Sequence, residues 1–383
     1  MKIAVFMDLN LSQINGVTNC YNEMINYLKK HPEHQAIFLT YGQKYNEKKI
    51  SKNVKIYEIN NLRYNIPYNP EYPLFCFKKP YKRLLKICKE FKPDIIHTAT
   101  PSVWRGIGST AIDIGKEMGI KVVGSYHTHI IKYNTPYMKK PLEENKKNFY
   151  TYLTKFCSLL YYYEYKNKSL IKYKEELKNL NIKGLNRKVF LGAYFAAQVR
   201  TLKYNECDLV LAPTKEVKKY LSRIIKKKRI KIFSRGVDTE KFNPKWRSEE
   251  FRKKYGLIGK KVLLYVGRVA IEKNLDKVVE YYKKEKNKDK NSVLLIVGDG
   301  PYKGELEKRY PDIIFMGSIV GKKLSRAYAS SDEFVFFSDT ETFGSVLTEA
   351  RSSGLNIANI KKMEPKVISW EKVFKKVFSS IRV

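Results

Sequence analysis

Two carboxylates eight positions apart, Glu341 and Glu349, stand in the stretch "DTETFGSVLTEARSSGL" (339–355), with Phe343-Gly344 between them and a helix-like run after the glycine. If the helix begins near Phe343 or Gly344, Glu341 lies in the loop before it. Glu349 then lies two turns along, and eight helical residues span about 12 Å. Such a pair can accept hydrogen bonds from two hydroxyl-bearing parts of one ligand, while the helix N-terminus between them receives negative charge. Arg268 and Lys273 belong to "GRVAIEKN" (267–274), directly after an apolar run. An arginine and a lysine where a strand gives way to a helix make a seat for a diphosphate. They read equally well as two solvated cations of a very basic protein. Carboxylates for alcohols beside cations for phosphate match a ligand laid out as sugar hydroxyls, diphosphate and ribose hydroxyls.

Three further motifs are more ambiguous. "VGDGP" (297–301), with Gly298, is a strand-to-helix turn whose glycines permit the bend, and on its own it is mostly structural. Asn15-Gly16 follows the first apolar run, where a glycine lets a bulky ligand approach the backbone. In Tyr126-His127-Thr128-His129 two histidines alternate, but a zinc site needs at least three protein ligands and no third stands at a plausible spacing. His127 reads either as a neutral donor into a ligand site or as a satisfied core histidine.

The elements that must position these residues alternate as strand, turn and helix. Residues 2–9, 35–42, 94–101, 121–127 and 208–214 are short apolar runs ending in turns, and after the first of them Met24, Ile25 and Leu28 share one helical face. The scheme restarts with runs at 261–268, 292–301, 313–317 and 333–339. Apolar strands separated by helical segments predict parallel sheets covered on both faces. The expected architecture is two doubly wound domains joined near "SRGVDTEKFNP" (234–244), with ligands at the carboxyl ends of the strands, in a cleft where the two sheets face each other.

Composition narrows the partners. A chain of 383 residues is long enough for two domains with their own cores. The formal charge of +37 attracts polyanions of any kind, and an AT-rich genome that encodes lysine freely would produce it too. Nucleic-acid binding rests on charge alone, with no recognition motif beside it. Residues 131–200 carry fifteen Lys or Arg against five Glu, interleaved with Tyr162, Phe190, Tyr194 and Phe195, which would suit an anionic lipid surface. The longest uncharged apolar run, 189–199, is too short to cross a bilayer. The N-terminus reads as a first strand rather than a signal peptide, and the five scattered cysteines suit a reducing cytoplasm.

In this order, "QINGV", "SYHTHI", "CDLVLAPT", "RGVDTEKFNP", "LLYVGRVAIEKNLD", "VGDGP" and "SDTETFGSVLTEARSSGL" resemble retaining glycosyltransferases of family 4, over nearly the whole chain. Within that family the chain is most similar to members that glycosylate lipids, such as mannosyl-, glucosyl- and sulfoquinovosyltransferases. The resemblance implies a GT-B fold: an N-terminal Rossmann-like domain over 1–240, a nucleotide-sugar-binding domain over 241–366, and a C-terminal helix, 367–383, returning to the first domain. It implies transfer of a hexose from a UDP- or GDP-linked sugar to a hydroxyl acceptor, with retention and without a metal or other cofactor. The acceptor would be a lipid such as diacylglycerol, met by a cytoplasmic enzyme peripheral to the inner membrane face.

Roles follow residue by residue. Arg268 and Lys273 would hold the donor diphosphate and stabilise the leaving nucleoside diphosphate. Glu341 would bind donor-sugar hydroxyls and Glu349 the ribose, with Phe343, Gly344 and Ser345 offering backbone contacts and Gly298 beside them. Gly16 would let the first loop approach the phosphates, and His127 would contact the sugar near its anomeric carbon. The chain departs from the family after "SSGLNIANI" (352–360), where only about ten residues precede Trp370, whereas relatives continue with further strands and a Gly-Gly loop. That departure supports an alternative: a catalytically impaired, glycosyltransferase-like protein that binds nucleotide sugar or serves as a partner subunit. The final helix is intact, since Trp370, Val373, Phe374, Val377, Phe378 and Ile381 form one apolar stripe.

Overall fold

The computed structural model describes residues 1–66, 69–128, 201–338, 341–358 and 366–381. The basic stretch 131–200, His129, and Asp339 and Thr340 lie outside them. The chain divides into two compact units, Met1–Ile232 and Phe233–Val383.

In the first unit, strands β1 (Lys2–Phe6), β2 (Gln35–Tyr41), β3 (Asn46–Lys49) and β4 (Val54–Ile59) precede a two-stranded antiparallel ribbon, β5 (Arg63–Ile66) with β6 (Asn69–Cys76). Then come β7 (Ile95–Thr98), β8 (Val122–Ser125), β9 (Leu209–Ala212) and β10 (Ile230–Ile232). The main sheet has the order β10-β9-β8-β7-β1-β2-β4-β3, parallel except where β3 joins β4. β1 pairs with β2 on one side and β7 on the other, so the order reverses there and leaves a crevice beyond the carboxyl ends of β1 and β7. β3, "NEKK", carries no apolar signal at all. It is held on the sheet edge by cross-strand ion pairs, Lys48 to Glu58 at 2.8 Å and Lys55 to Glu47 at 2.9 Å.

Among the described residues of this unit the α-helices are α1 (Gly16–Lys30), α2 (Tyr81–Phe91), α3 (Ile107–Met118) and α4 (Lys215–Leu221). Asn15 starts α1: its Oδ1 accepts from the amides of Val17 and Thr18, both at 3.0 Å, while Thr18 Oγ1 accepts from the Asn15 amide. The buried face of α1 includes Met24, Ile25 and Leu28, as their spacing predicts. Asp8, just past β1, is fully buried and plays the matching part for α3, accepting from the amides of Ile107 (2.6 Å) and Gly108 (2.9 Å).

The second unit has one wholly parallel sheet, β13-β12-β11-β14-β15, made of β11 (Lys261–Val266), β12 (Ser292–Val297), β13 (Ile314–Phe315), β14 (Glu333–Val335) and β15 (Asn356–Ala358). Its central strands are continuous apolar runs because helices cover both faces. Alternate residues of β11 and β12 part into two cores: Val262, Leu264, Val293 and Leu295 point to one, Leu263, Tyr265, Leu294 and Ile296 to the other. The helices are α5 (Glu249–Lys254), α6 (Leu275–Lys288), α7 (Lys303–Arg309), α8 (Gly321–Ala329), α9 (Ser345–Ser352) and α10 (Trp370–Ile381). All six stripe residues of α10 are buried. Within this unit the helix is anchored by its own approach: the Val237 amide donates to the Ile368 carbonyl at 2.9 Å, and Phe374 packs on Phe233 with ring centroids 6.1 Å apart.

Candidate functional site

β11 is paired with β12 on one side and β14 on the other, so the second sheet also reverses its order, and the crevice opens between the loops that follow β11 and β14. Those loops carry Arg268 and Lys273 on one side and Glu341 on the other. They meet through an ion pair in which Lys273 Nζ donates to Glu341 Oε1, with the side chains only 16% and 26% exposed. A second tie lies beside it, Asn274 Nδ2 donating to the Phe337 carbonyl at 3.0 Å. Asn274 holds this position in a left-handed conformation (φ 54°, ψ 43°), which asparagine tolerates better than most residues. Tyr265 Oη donates to the Arg268 carbonyl at 3.0 Å and fixes the turn that presents the guanidinium. Burial, then the negative charges of Glu341 and Glu272, hold the Tyr265 hydroxyl protonated far above its ordinary range.

Gly298 lies in the adjoining loop, after β12, with φ 140°. A Cβ there would stand 1.9 Å from the Gly267 carbonyl oxygen. The glycine is therefore demanded by the contact between two loops, and it seats the β12 turn against the turn that carries Arg268.

The helix α9 begins at Ser345 rather than at Phe343 or Gly344, because Gly344 takes a left-handed conformation (φ 73°) and caps it from outside. Glu349 is consequently the fifth helical residue, little more than one turn in, where the sequence reading put it two turns along. Phe343 is half-buried in the preceding turn and the Ser345 carbonyl is taken by Thr348 Oγ1 at 2.7 Å. The Glu349 carboxylate accepts from Tyr328 Oη at 2.8 Å, and Tyr328 is completely buried. Burial pushes the Glu349 carboxyl up to about 7, against the opposing pull of the Tyr328 hydrogen bond and the Lys241 charge. It is thus poised near neutrality, whereas Glu341 is already partnered by a cation.

In the first unit, Gly16 is the opening residue of α1 and His127 follows β8. His127 Nε2 lies 2.9 Å from Tyr21 Oη, on the next turn of α1, and the same hydroxyl lies 2.8 Å from His97 Nε2 on β7. Ser125 Oγ stands 3.1 Å from that His97 nitrogen. His97 is buried, which lowers its pKa to about 4 and keeps it neutral. Among the described residues no three or more His, Cys, Asp or Glu are grouped to hold a metal ion, and no helix is long and apolar enough to cross a membrane.

The structure thus joins Lys273 with Glu341, sets Arg268 and Gly298 on adjoining turns, and puts Ser345 and Glu349 on one short helix that Gly344 caps. In the first unit it links Gly16 and His127 through α1. The supporting residues Tyr21, His97, Tyr265, Asn274 and Tyr328 escaped the sequence reading. Two of them, Tyr265 and His97, sit inside the apolar runs "LLYV" and "DIIHT", where a polar atom carries no local mark of its distant partner.

Two family models match the chain: Glycosyltransferase Family 4 over residues 14–161 and Glycosyl transferases group 1 over 247–368. Among curated proteins, the chain is 28% identical to the sulfoquinovosyl transferase SQD2 of Arabidopsis thaliana, aligning 93% of itself with 59% of that protein. It is 25% identical to a GDP-mannose-dependent alpha-mannosyltransferase of Corynebacterium glutamicum, over 93% of the chain and 71% of the relative. It is also 25% identical to the alpha-monoglucosyldiacylglycerol synthase of Streptococcus pneumoniae, over 92% and 70%. In backbone the chain is similar to Anabaena Alr3699/HepE in complex with UDP-glucose, with a TM-score of 0.58, 13% identity, and coverage of 100% of this chain and 90% of that one. WaaG, a glycosyltransferase involved in lipopolysaccharide biosynthesis, matches with a TM-score of 0.54 at 14% identity, over 100% and 91%. These likenesses establish the GT-B fold.

Proposed function

The chain belongs to the family 4 glycosyltransferases, and from that premise we propose that it transfers a hexose from a UDP- or GDP-linked sugar to a hydroxyl acceptor with retention of configuration. The observation that carries this is the Lys273–Glu341 pair, which closes the two loops at the reversal point of the second sheet. Before donor arrives, the two charges neutralise and orient each other. When it binds, its diphosphate takes Lys273 and Arg268, its sugar hydroxyls take Glu341, and its ribose hydroxyls take Glu349. Arg268 and Lys273 then stabilise the charge that grows on the departing nucleoside diphosphate, so the reaction proceeds without a bound metal. His127 serves the sugar near its anomeric carbon. The acceptor attacks from the face the leaving phosphate vacates, assisted by that phosphate, and no protein nucleophile is used.

For the acceptor we propose a lipid such as diacylglycerol, reached at an anionic membrane surface. The names of the relatives support it, as does the +37 charge. The test is release of nucleoside diphosphate from a panel of UDP- and GDP-sugars, with and without diacylglycerol-containing liposomes. Release confined to one donor and raised by liposomes is the expected result. No release from any donor by folded protein would overturn the proposal in favour of a non-catalytic nucleotide-sugar binder.

A further inference from the structure

Exposed apolar side chains of the first unit gather at one end of its main sheet. Ile14 follows β1, Tyr45 follows β2 and Leu62 follows β4, so all three stand at the carboxyl ends of parallel strands, where the crevice opens. Phe77, which ends the β5–β6 ribbon, is brought to the same place because its amide donates to the Leu62 carbonyl at 2.9 Å. Leu62 is 70% exposed and Phe77 52%.

Beneath these two lies an aromatic base. The Phe75 ring has its centroid 5.1 Å from that of Phe77 and 6.3 Å from that of Trp104. Trp104 belongs to the turn after β7, and its carbonyl accepts from the Cys76 amide at 3.0 Å, which fastens the ribbon to the sheet. Cations surround the patch. The Arg105 guanidinium lies over the Trp104 ring, 4.4 Å from its centroid, and Nη1 donates to the Phe77 carbonyl at 3.2 Å. Arg105 does this in a left-handed conformation (φ 54°) that a β-carbon disfavours, so the fold tolerates backbone strain to place a cation beside two exposed apolar groups. Lys78, next to Phe77, is exposed, as are Lys82 and Arg83 at the start of α2. Among the described acidic side chains at this end, Asp8 is buried and Glu58 is paired with Lys48.

Protruding apolar side chains over an aromatic base, rimmed by cations, suit the headgroup region of a bilayer: apolar groups reach the acyl boundary, tryptophan sits at headgroup level and cations meet anionic lipid. A second copy fits worse, since a two-fold contact would set Lys78 and Arg105 against their own equivalents on a chain of formal charge +37. We propose that, on the reading above of a lipid acceptor, Leu62 and Phe77 with Trp104, Lys78 and Arg105 form the surface by which the first unit enters an anionic bilayer. This puts the membrane at the crevice end of the sheet.

The test is flotation of the full chain with vesicles of phosphatidylcholine alone or of equal parts phosphatidylcholine and phosphatidylglycerol, at fixed ionic strength. The wild type should float with the mixed vesicles and hardly with the neutral ones, and brominated acyl chains should quench a fluorescence component that Trp104→Phe removes. The double variant Leu62→Ser/Phe77→Ser should bind the mixed vesicles at least about tenfold more weakly, having lost two inserting side chains. Lys78→Gln and Arg105→Gly should each lose about fivefold, the share of one basic residue at an anionic surface. Glycine keeps the left-handed turn without strain, so Arg105→Gly removes the charge and spares the fold, which an unchanged urea midpoint verifies. Variants that float like the wild type would overturn the proposal, and so would equal binding to both kinds of vesicle or binding to neither. A dimer that Phe77→Ser dissolves, with no vesicle binding, would overturn it in favour of a second copy. Vesicle binding that the variants lose, without transfer to diacylglycerol, upholds the surface and overturns only the acceptor.

Discussion

With Glu349 holding the donor's ribose as proposed, its raised pKa should make donor affinity depend on pH in the neutral range. An ionised carboxylate accepts two ribose hydroxyls through charge-assisted bonds, whereas a protonated one must spend an oxygen on its own proton. The carboxyl titrates near 7, up from 4.5, because burial against Tyr328 disfavours its charge. If only the ionised form binds ribose well, the apparent Kd scales as 1 + 10^(7 − pH), so affinity rises about tenfold from pH 6 to pH 8 and levels off above. At pH 7, binding should release about half a proton per donor, readable as a dependence of the calorimetric enthalpy on buffer ionisation heat. The assay is titration calorimetry with UDP-glucose and GDP-mannose at pH 6, 7 and 8 and fixed ionic strength. A nucleotide sugar suits it because its diphosphate is esterified at both ends and does not titrate here. Glu349→Gln should bind weakly and equally at all three values. The reasoning is refuted if the wild-type affinity is flat, or if Glu349→Gln keeps the same slope.

The Lys273–Glu341 pair predicts opposite outcomes for its two halves. Lys273→Ala should weaken UDP or GDP binding about 10- to 100-fold, the range for a lost charge-assisted bond. Glu341→Gln should abolish turnover while leaving nucleoside diphosphate binding equal or tighter; equal weakening by both, measured by calorimetry, would mean the pair is only structural. Gly298→Ala should destabilise the protein by about 2–3 kcal/mol through left-handed strain and the clash with Gly267, visible as a lower midpoint in urea. His97, with a folded pKa of about 4 against an ordinary 6.5, binds fewer protons folded than unfolded in that window. Stability should therefore fall as pH drops from 6.5 towards 4, by about 3 kcal/mol at 1.36 kcal/mol per unit. His97→Gln should remove that part of the slope in denaturation measured across the same range.

Much of the architecture is legible in the chain alone. Buried parallel strands must be apolar throughout, so "KIAVF", "KVLLYV" and "SVLLIV" announce themselves, and the chemistry-bearing residues stand where such runs end. Short-range periodicity likewise marks the face of α1 and the stripe of α10. The polar edge strand β3 and the ribbon of β5 and β6 gave no such signal, because their pairing is set by neighbours across the sheet. The start of α9 lies one or two residues beyond the Phe343 or Gly344 that the sequence suggests for a related reason: whether a glycine joins a helix or caps it depends on its φ, which the letter does not specify. The partner of Lys273 lies 68 residues away, and only the meeting of two loops at the sheet's reversal point selects Glu341 from the other carboxylates. The acidity of Glu349 and the neutrality of His97 are likewise products of packing, since desolvation is exerted by side chains brought together from separate elements. The amino-acid order set which groups could do the chemistry; the tertiary structure decided their charge, their partners and the position of their protons.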